Sequence, residues 1–177
     1  MRLMKNTATD PVPLLQDLIR CKSVTPAEGG ALTYLENLLS THGFTCQRLI
    51  FKAEGTPDVE NLFARFGTGS PHLCFAGHTD VVPEGHPEKW THEPFAADIA
   101  SGFIYGRGAT DMKGSVAAFA GAAIDFVRTT GKFKGSISFL ITGRGRPRHQ
   151  RHGEGARMDE GERSYPQSLH RRRAKLC

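Results

Sequence analysis

Apolar residues near the start of the chain recur with the spacing of two amphipathic helices. The segment PLLQDLIR places its leucines and isoleucine on one helical face, and Asp10 followed by Pro11 is typical of a helix N-terminus. The pattern predicts a helix over residues 11–22. Leucines with the same spacing predict a second helix within residues 25–44, which Gly43 ends.

Shorter apolar runs follow, and they are typical of strands. The predicted strands are FTCQRLIF (44–51), NLFARF (61–66), HLCFAGH (72–78) and residues 135–142, with a helix over 114–128. Residues 83–108 show little periodicity and indicate a long functional loop, with a hairpin within 98–108. Strands that alternate with helices predict an α/β fold, with a central sheet and flanking helices.

The charge pattern changes abruptly after Gly143. Residues 144–177 hold ten Lys and Arg against four Asp and Glu, whereas residues 1–143 hold thirteen against fourteen. The net charge of +5 therefore comes from the last part of the chain. Because that part contains few large apolar residues, we expect a disordered basic tail over residues 144–177.

The sequence contains neither a leader-like segment nor an apolar run of membrane-spanning length. Its four cysteines, Cys21, Cys46, Cys74 and Cys177, lack paired spacing, which is typical of reduced thiols. We therefore expect a cytoplasmic protein with no membrane partner.

The segment LCFAGHTDVVPEG carries the first candidate chemistry. An apolar strand ends at Gly77 and is followed by His78 and Asp80, whose alternation in an extended chain places both side chains on one side. A carboxylate beside an imidazole at a strand end is typical of a metal-binding histidine with its orienting partner. A hydrogen-bonded surface histidine gives the same pattern, so both interpretations stay open for this motif alone.

The segment GRGATDMKGSVAAF carries the second set of candidate functional residues. Gly106 and Gly108 permit a close approach of the backbone, and Asp111 precedes a helix of small residues. A carboxylate at this place can bridge two metal ions, but it can equally cap the helix. The third glycine and the downstream acid of a dinucleotide loop are absent, so we expect no nucleotide cofactor.

Together, FAGHTDVVPEG, the W and PF that follow, and GFIYGRGATDMKGSVAAF resemble the zinc-dependent aminoacylase and exopeptidase family over about residues 10–143. These motifs most resemble those of the family's desuccinylases of the lysine and diaminopimelate pathway. Acetylornithine deacetylases and related metallo-exopeptidases are the alternative. The resemblance implies that residues 1–143 are the N-terminal part of a dizinc catalytic domain, acting on a small N-acyl amino acid. It implies a homodimer only for the full-length protein.

The resemblance also implies roles for three residues. His78 would bind one Zn²⁺, Asp111 would bridge two, and Asp80 would be the catalytic residue that orients His78, with Co²⁺ as a substitute metal. A metal-activated water would attack the acyl amide, and a glutamate would transfer its proton to the leaving amine.

Four residues of the long loop and the turn after it are expected to shape the site. Core packing or surface solvation is the alternative for each. They are Trp90, Phe95, Arg107 and Lys113.

The chain departs from the family where the last strand ends. In the family an acidic D-E-E-G segment follows this strand and supplies the general base and a zinc ligand, whereas here the sequence reads RGRPR. One permitted codon choice for RGRPRHQRHGE, read without its first base, encodes EEGPAINGTV. We therefore expect residues 144–177 to be an out-of-frame tail of a truncated chain that is inactive alone.

The same tail allows an interpretation of another class. The segment GRGRPR resembles an AT-hook, a basic element that binds the minor groove of A·T-rich DNA. Accidental basic residues in an out-of-frame segment are the favoured explanation, and we expect no nucleic-acid partner.

Overall fold

The computed structural model describes residues 9–53 and 56–143, and these include three α-helices and six strands. The helices are α1 (Pro11–Arg20), α2 (Ala31–Thr41) and α3 (Gly114–Thr130). The strands are β1 (Thr45–Ala53), β2 (Thr56–Phe66), β3 (His72–His78), β4 (Asp98–Ala100), β5 (Phe103–Tyr105) and β6 (Ser136–Thr142). The predicted disordered tail, its frameshift origin and the AT-hook fall on residues 144–177, outside the described residues.

The helices begin where local chemistry favours a start. Asp10 caps α1, because its Oδ1 accepts a hydrogen bond from the backbone N–H of Val12 at 2.9 Å, and Pro11 opens the helix. Helix α2 begins later than the predicted segment. Gly29 and Gly30 precede it with φ angles of 59° and 86°, a left-handed conformation that a helix does not continue through.

The sheet is mixed, and its order is β1-β2-β6-β3. Strand β2 is antiparallel to both β1 and β6, whereas β3 runs parallel to β6, with His78 opposite Thr142. The carboxyl ends of β3 and β6 therefore meet at one edge of the sheet. Strands β4 and β5 form a separate hairpin, as predicted. The predicted α/β fold with flanking helices is confirmed.

The core lies between one face of the sheet and the three helices. Central strand β6 is buried at every position, and alternate residues Ile137, Phe139 and Ile141 belong to the core. The Phe139 ring is fully buried and meets the rings of Phe44 and Phe119 edge to face. This packing fixes the strands that carry the candidate site.

Two of the cysteines, Cys21 and Cys46, are free thiols, as expected. The prediction for Cys177 falls outside the described residues. In residues 9–53 and 56–143, no helix has the length and apolar character needed to cross a membrane.

Candidate metal centre

The first part of the site is the exit of strand β3. The strand ends at His78, and the backbone N–H of Thr79 still donates to the carbonyl of Thr142 at 3.0 Å, which extends the pairing with β6 by one bond. Gly77 precedes His78, and a Cβ there would lie 2.9 Å from the Cε methyl of Met112. The lack of a side chain at Gly77 therefore lets the second motif pack against the strand.

The second part is the irregular turn Ala109–Lys113, which leads into α3. Gly108 precedes it with φ 83°, and a Cβ at Gly108 would lie 2.5 Å from Val81 Cγ1. A Cβ at Gly106 would lie 2.6 Å from Ile19 Cγ2. The predicted close approach at both glycines is confirmed.

Asp111 lies in this turn with its side chain 87% exposed. Its backbone is not helical, with φ −125° and ψ 99°, and the peptide bond to Met112 is cis. No side chain caps α3, whose N-cap is Lys113. The interpretation of Asp111 as a helix cap is therefore wrong.

His78 lies between the two aspartates that the sequence singled out. Its Nδ1 is 3.1 Å from the backbone carbonyl of Asp80 and 3.5 Å from Asp80 Oδ1. Its Nε2 is 3.3 Å from Asp111 Oδ1. Because a carbonyl can only accept, the first contact requires a hydrogen on Nδ1, and in the neutral ring Nε2 then carries the lone pair.

Asp80 is a buried carboxylate with one oxygen satisfied. Its side chain is 8% exposed, and its Oδ2 accepts a hydrogen bond from the hydroxyl of Thr25 at 2.9 Å. Oδ1 is buried without a hydrogen-bond partner and is the oxygen nearest to His78. This oxygen lacks a hydrogen-bond donor. An imidazolium, or a metal-bound imidazole with its Nδ1–H strongly polarised, would place a positively charged donor beside it.

The donor set fits a zinc ion in chemistry and in spacing. An imidazole and a carboxylate are common zinc ligands, and two ligands of one tetrahedral zinc ion lie roughly 3.4 Å apart at bond lengths of about 2.0–2.2 Å. His78 Nε2 and Asp111 Oδ1 are 3.3 Å apart. Among the described residues, no group of three or more His, Cys, Asp or Glu side chains could hold a metal ion. Since catalytic zinc takes about three protein ligands, a complete site needs donors from beyond them.

Lys113 lies beneath the site and not in the loop around it. It is fully buried, and its Nζ donates to the carbonyl of Cys21 at 2.9 Å. Burial lowers the pKa of Lys113 to about 8, against the opposing effects of Cys21 and Asp80. Of the two interpretations open for this residue, core packing is therefore the one that the structure supports.

The loop after β3 contains an aromatic–cation pair. The guanidinium of Arg107 lies 4.9 Å from the Trp90 ring centroid, and both side chains donate to the backbone carbonyl of Glu84. Phe95 is buried, with Lys22 Nζ 5.5 Å from its ring centroid. Beside Trp90 an open cavity of about 420 Å³ is lined by Glu84, Gly85, His86, Lys89, Trp90 and Thr91.

Sequence reasoning missed Ser23 and Thr25, which contact the β3 exit. Ser23 Oγ donates to the carbonyl of Thr79 at 2.6 Å, and the Thr25 backbone N–H donates to the carbonyl of Val81 at 3.0 Å. The sequence around them, SVTP, is typical only of a segment that leads into a helix. Their roles depend on long-range contacts that the local pattern does not encode.

Comparison with known proteins shows which proteins the chain resembles. Residues 74–144 match the model of peptidase family M20/M25/M40. The chain is 60% identical over 134 residues to the succinyl-diaminopimelate desuccinylase of Parvibaculum lavamentivorans, covering 76% of this chain and 33% of the relative. It is 56% identical over 141 residues to that of Rhodopseudomonas palustris, covering 79% and 36%.

A solved structure agrees on the fold. Human carnosine dipeptidase 1 superimposes with a TM-score of 0.67 at 23% identity, over 75% of this chain and 31% of that one. The chain spans about a third of the length of the curated relatives that it matches. The chain is therefore similar to succinyl-diaminopimelate desuccinylases, and its residues 74–144 match the model of peptidase family M20/M25/M40.

Proposed function

We propose that residues 9–143 are the N-terminal part of the catalytic domain of a metal-dependent amide hydrolase. The reaction is hydrolysis of N-succinyl-LL-2,6-diaminopimelate to succinate and LL-2,6-diaminopimelate. The proposal is supported by the 60% identity to a desuccinylase and by one geometric observation. His78 Nε2 and Asp111 Oδ1, from separate motifs, face each other at the spacing of two ligands of one zinc ion.

Each site residue has one task in this proposal. His78 would hold a zinc ion through Nε2, with its Nδ1–H bonded to the backbone carbonyl of Asp80 and near the Asp80 carboxylate. Asp111 would be the ligand shared by two zinc ions, a role that its exposure and its position in the turn before α3 allow. The Asp80 carboxylate fixes the tautomer and orientation of the imidazole. Co²⁺ is the proposed substitute metal.

Metal ions held by these residues would supply a water of lowered pKa and polarise the amide carbonyl. In the overall hydrolysis the oxygen of water would bond to the succinyl carbonyl carbon, the C–N bond would break, and a proton from the water would pass to the leaving amine. A general base has to carry that proton, and none of the described residues is assigned this role. The dimer and the cytoplasmic location of a complete enzyme stay predictions.

A domain graft tests the proposal. Residues 9–143 replace the matching N-terminal third of the Parvibaculum lavamentivorans desuccinylase, and the purified graft is assayed with zinc on N-succinyl-LL-2,6-diaminopimelate and on N-acetylornithine. We expect hydrolysis of the succinyl substrate in preference to the acetyl one. His78→Ala in the graft is expected to reduce kcat/KM by more than about a hundredfold, because the loss of a ligand exceeds the loss of its outer partner.

The control is Thr129→Val in the same graft. The Thr129 hydroxyl donates only to helix carbonyls of α3, so this variant is expected to keep full activity. A folded graft that hydrolyses N-acetylornithine faster would contradict the proposed substrate. A folded graft that is as active with His78→Ala as without it would contradict the metal role of His78.

A further inference from the structure

One short segment contacts both halves of the candidate metal centre. Residues 21–25 lie between α1 and α2 and run beside the exit of β3, where the backbone N–H of Val81 donates to the carbonyl of Ser23 at 2.8 Å. The backbone N–H of Thr25 returns a bond to the carbonyl of Val81 at 3.0 Å. Ser23 is fully buried, and its hydroxyl donates to the carbonyl of Thr79 at 2.6 Å. The segment therefore holds the backbone on both sides of Asp80.

The same segment is attached to the turn that carries Asp111. Lys113 lies at the end of that turn, and its Nζ donates to the carbonyl of Cys21. Because this ammonium group is fully buried, the bond forms where little water competes for it. One end of residues 21–25 thus contacts the Asp111 turn, and the other end contacts Asp80.

We propose that Thr25 is a positioning residue that fixes the orientation of the Asp80 carboxylate towards His78. Its hydroxyl donates to Asp80 Oδ2 at 2.9 Å, and Oδ1 is left within 3.5 Å of His78 Nδ1. The proposal rests on the proposed function, in which Asp80 orients the zinc-binding imidazole. It adds a residue that acts through Asp80 and touches neither the metal nor the substrate.

The chemistry of the Thr25 hydroxyl and the Asp80 carboxylate explains how the orientation is fixed. A threonine hydroxyl has a single hydrogen, and its donation to Oδ2 fixes the plane of the carboxylate. The Asp80 side chain is only 8% exposed, so bulk water cannot readily replace the bond. Thr25 is β-branched and has few side-chain rotamers, which keeps its hydroxyl in place at low entropic cost.

The test uses the 177-residue chain and three variants. Thr25→Val keeps the shape and removes the hydroxyl, Thr25→Ser restores it, and Thr129→Val removes a hydroxyl that bonds only helix carbonyls. Scalar couplings report the χ1 rotamer of Asp80 in the metal-free chain. A zinc titration followed by the imidazole ¹⁵N signals of His78 reports binding at this residue alone.

We expect a single Asp80 rotamer in the wild-type, Thr25→Ser and Thr129→Val chains, and rotamer averaging in Thr25→Val. The zinc affinity measured at His78 should fall by roughly three- to tenfold in Thr25→Val, less than the 10–100-fold typical of a direct partner of the ligand. An Asp80 rotamer that is unchanged in folded Thr25→Val would overturn the proposal.

A measurement on the wild-type chain covers the case in which Thr25→Val does not fold. The Thr25 hydroxyl proton should be protected from exchange with water, and a rapidly exchanging proton would overturn the proposal without any variant. In the graft, which supplies the remaining donors, His78 signals that do not respond to zinc would contradict the proposed function instead. The rotamer and exchange results on the metal-free chain would still decide the role of Thr25.

Discussion

The side chain of Met112 packs against the backbone of Gly77, where an added Cβ would lie only 2.9 Å from the Met112 Cε. Each of these residues is adjacent in sequence to a candidate ligand, His78 on one side and Asp111 on the other. The contact therefore brings two distant motifs within 3.3 Å of each other. Glycine at this place contributes to the site by its lack of a side chain.

Gly108 tests the second close approach in the site. Gly108→Ala places a Cβ 2.5 Å from Val81 Cγ1 at a φ of 83°, so it adds overpacking to backbone strain. Gly102→Ala is the matched control, because Gly102 has φ 81° and no atom within 4 Å of an added Cβ. We expect urea unfolding to show a loss of about 1 kcal/mol for Gly102→Ala and about 2–4 kcal/mol for Gly108→Ala. Equal losses would contradict the close packing at Val81.

Phe139 tests the core behind the site. The residue is fully buried among aromatic rings, and Phe139→Ala is expected to lower the free energy of unfolding by about 3–5 kcal/mol. Phe103 in β5 is 66% exposed, so Phe103→Ala should change the same quantity by about 0.5 kcal/mol or less. Thermal or urea unfolding measures both. A small effect at Phe139 would mean that β6 is not the centre of the core.

Asp125 links α3 to the residue before the α1 cap and gives a pH dependence. Both its oxygens accept hydrogen bonds from Thr9, and the Thr9 hydroxyl, followed by the backbone N–H and Arg128, lowers the pKa of this carboxyl from 3.8. A carboxyl with a lower pKa in the folded state stabilises the fold above its unfolded pKa. That stability is lost as the pH falls from about 4 towards the folded pKa.

The variant Asp125→Asn should therefore be less stable than wild type at neutral pH, with a difference that shrinks as the pH falls below about 4. Asp58→Asn is the control, since it removes only an exposed ion pair with Lys52 and should change stability little. Urea unfolding between neutral and acidic pH measures both variants. A difference that stays constant with pH would contradict the assignment to this carboxyl.

Much of the fold was predictable because its signals are local. Asp10 and Pro11 predict the start of α1, and the apolar run that ends at Gly77 predicts β3. The start of α2 was not predictable, because the leucine spacing does not show that Gly29 and Gly30 adopt left-handed backbone angles. His78, Asp80 and Asp111 were identifiable from two motifs whose residue types suit metal chemistry.

The supporting contacts of the site were not predictable. Thr25 meets Asp80, and Lys113 meets Cys21, only because α1, the sheet and the turn before α3 fold together. Lys113 is buried although Asp111, two residues before it, is exposed. Lysine side chains usually lie on the surface, so the residue type does not predict this burial. Such contacts depend on the tertiary structure, and a single sequence has no local pattern for them.

The central claim is that His78 and Asp111 are two ligands of one zinc centre. Anomalous diffraction at the zinc edge, from crystals of the graft that carries residues 9–143, tests it most directly. We predict a peak about 2.0–2.1 Å from His78 Nε2, with Asp111 bonded to that peak and to a second one. Zinc peaks that contact neither side chain, or that lie on His78 Nδ1, would contradict the claim.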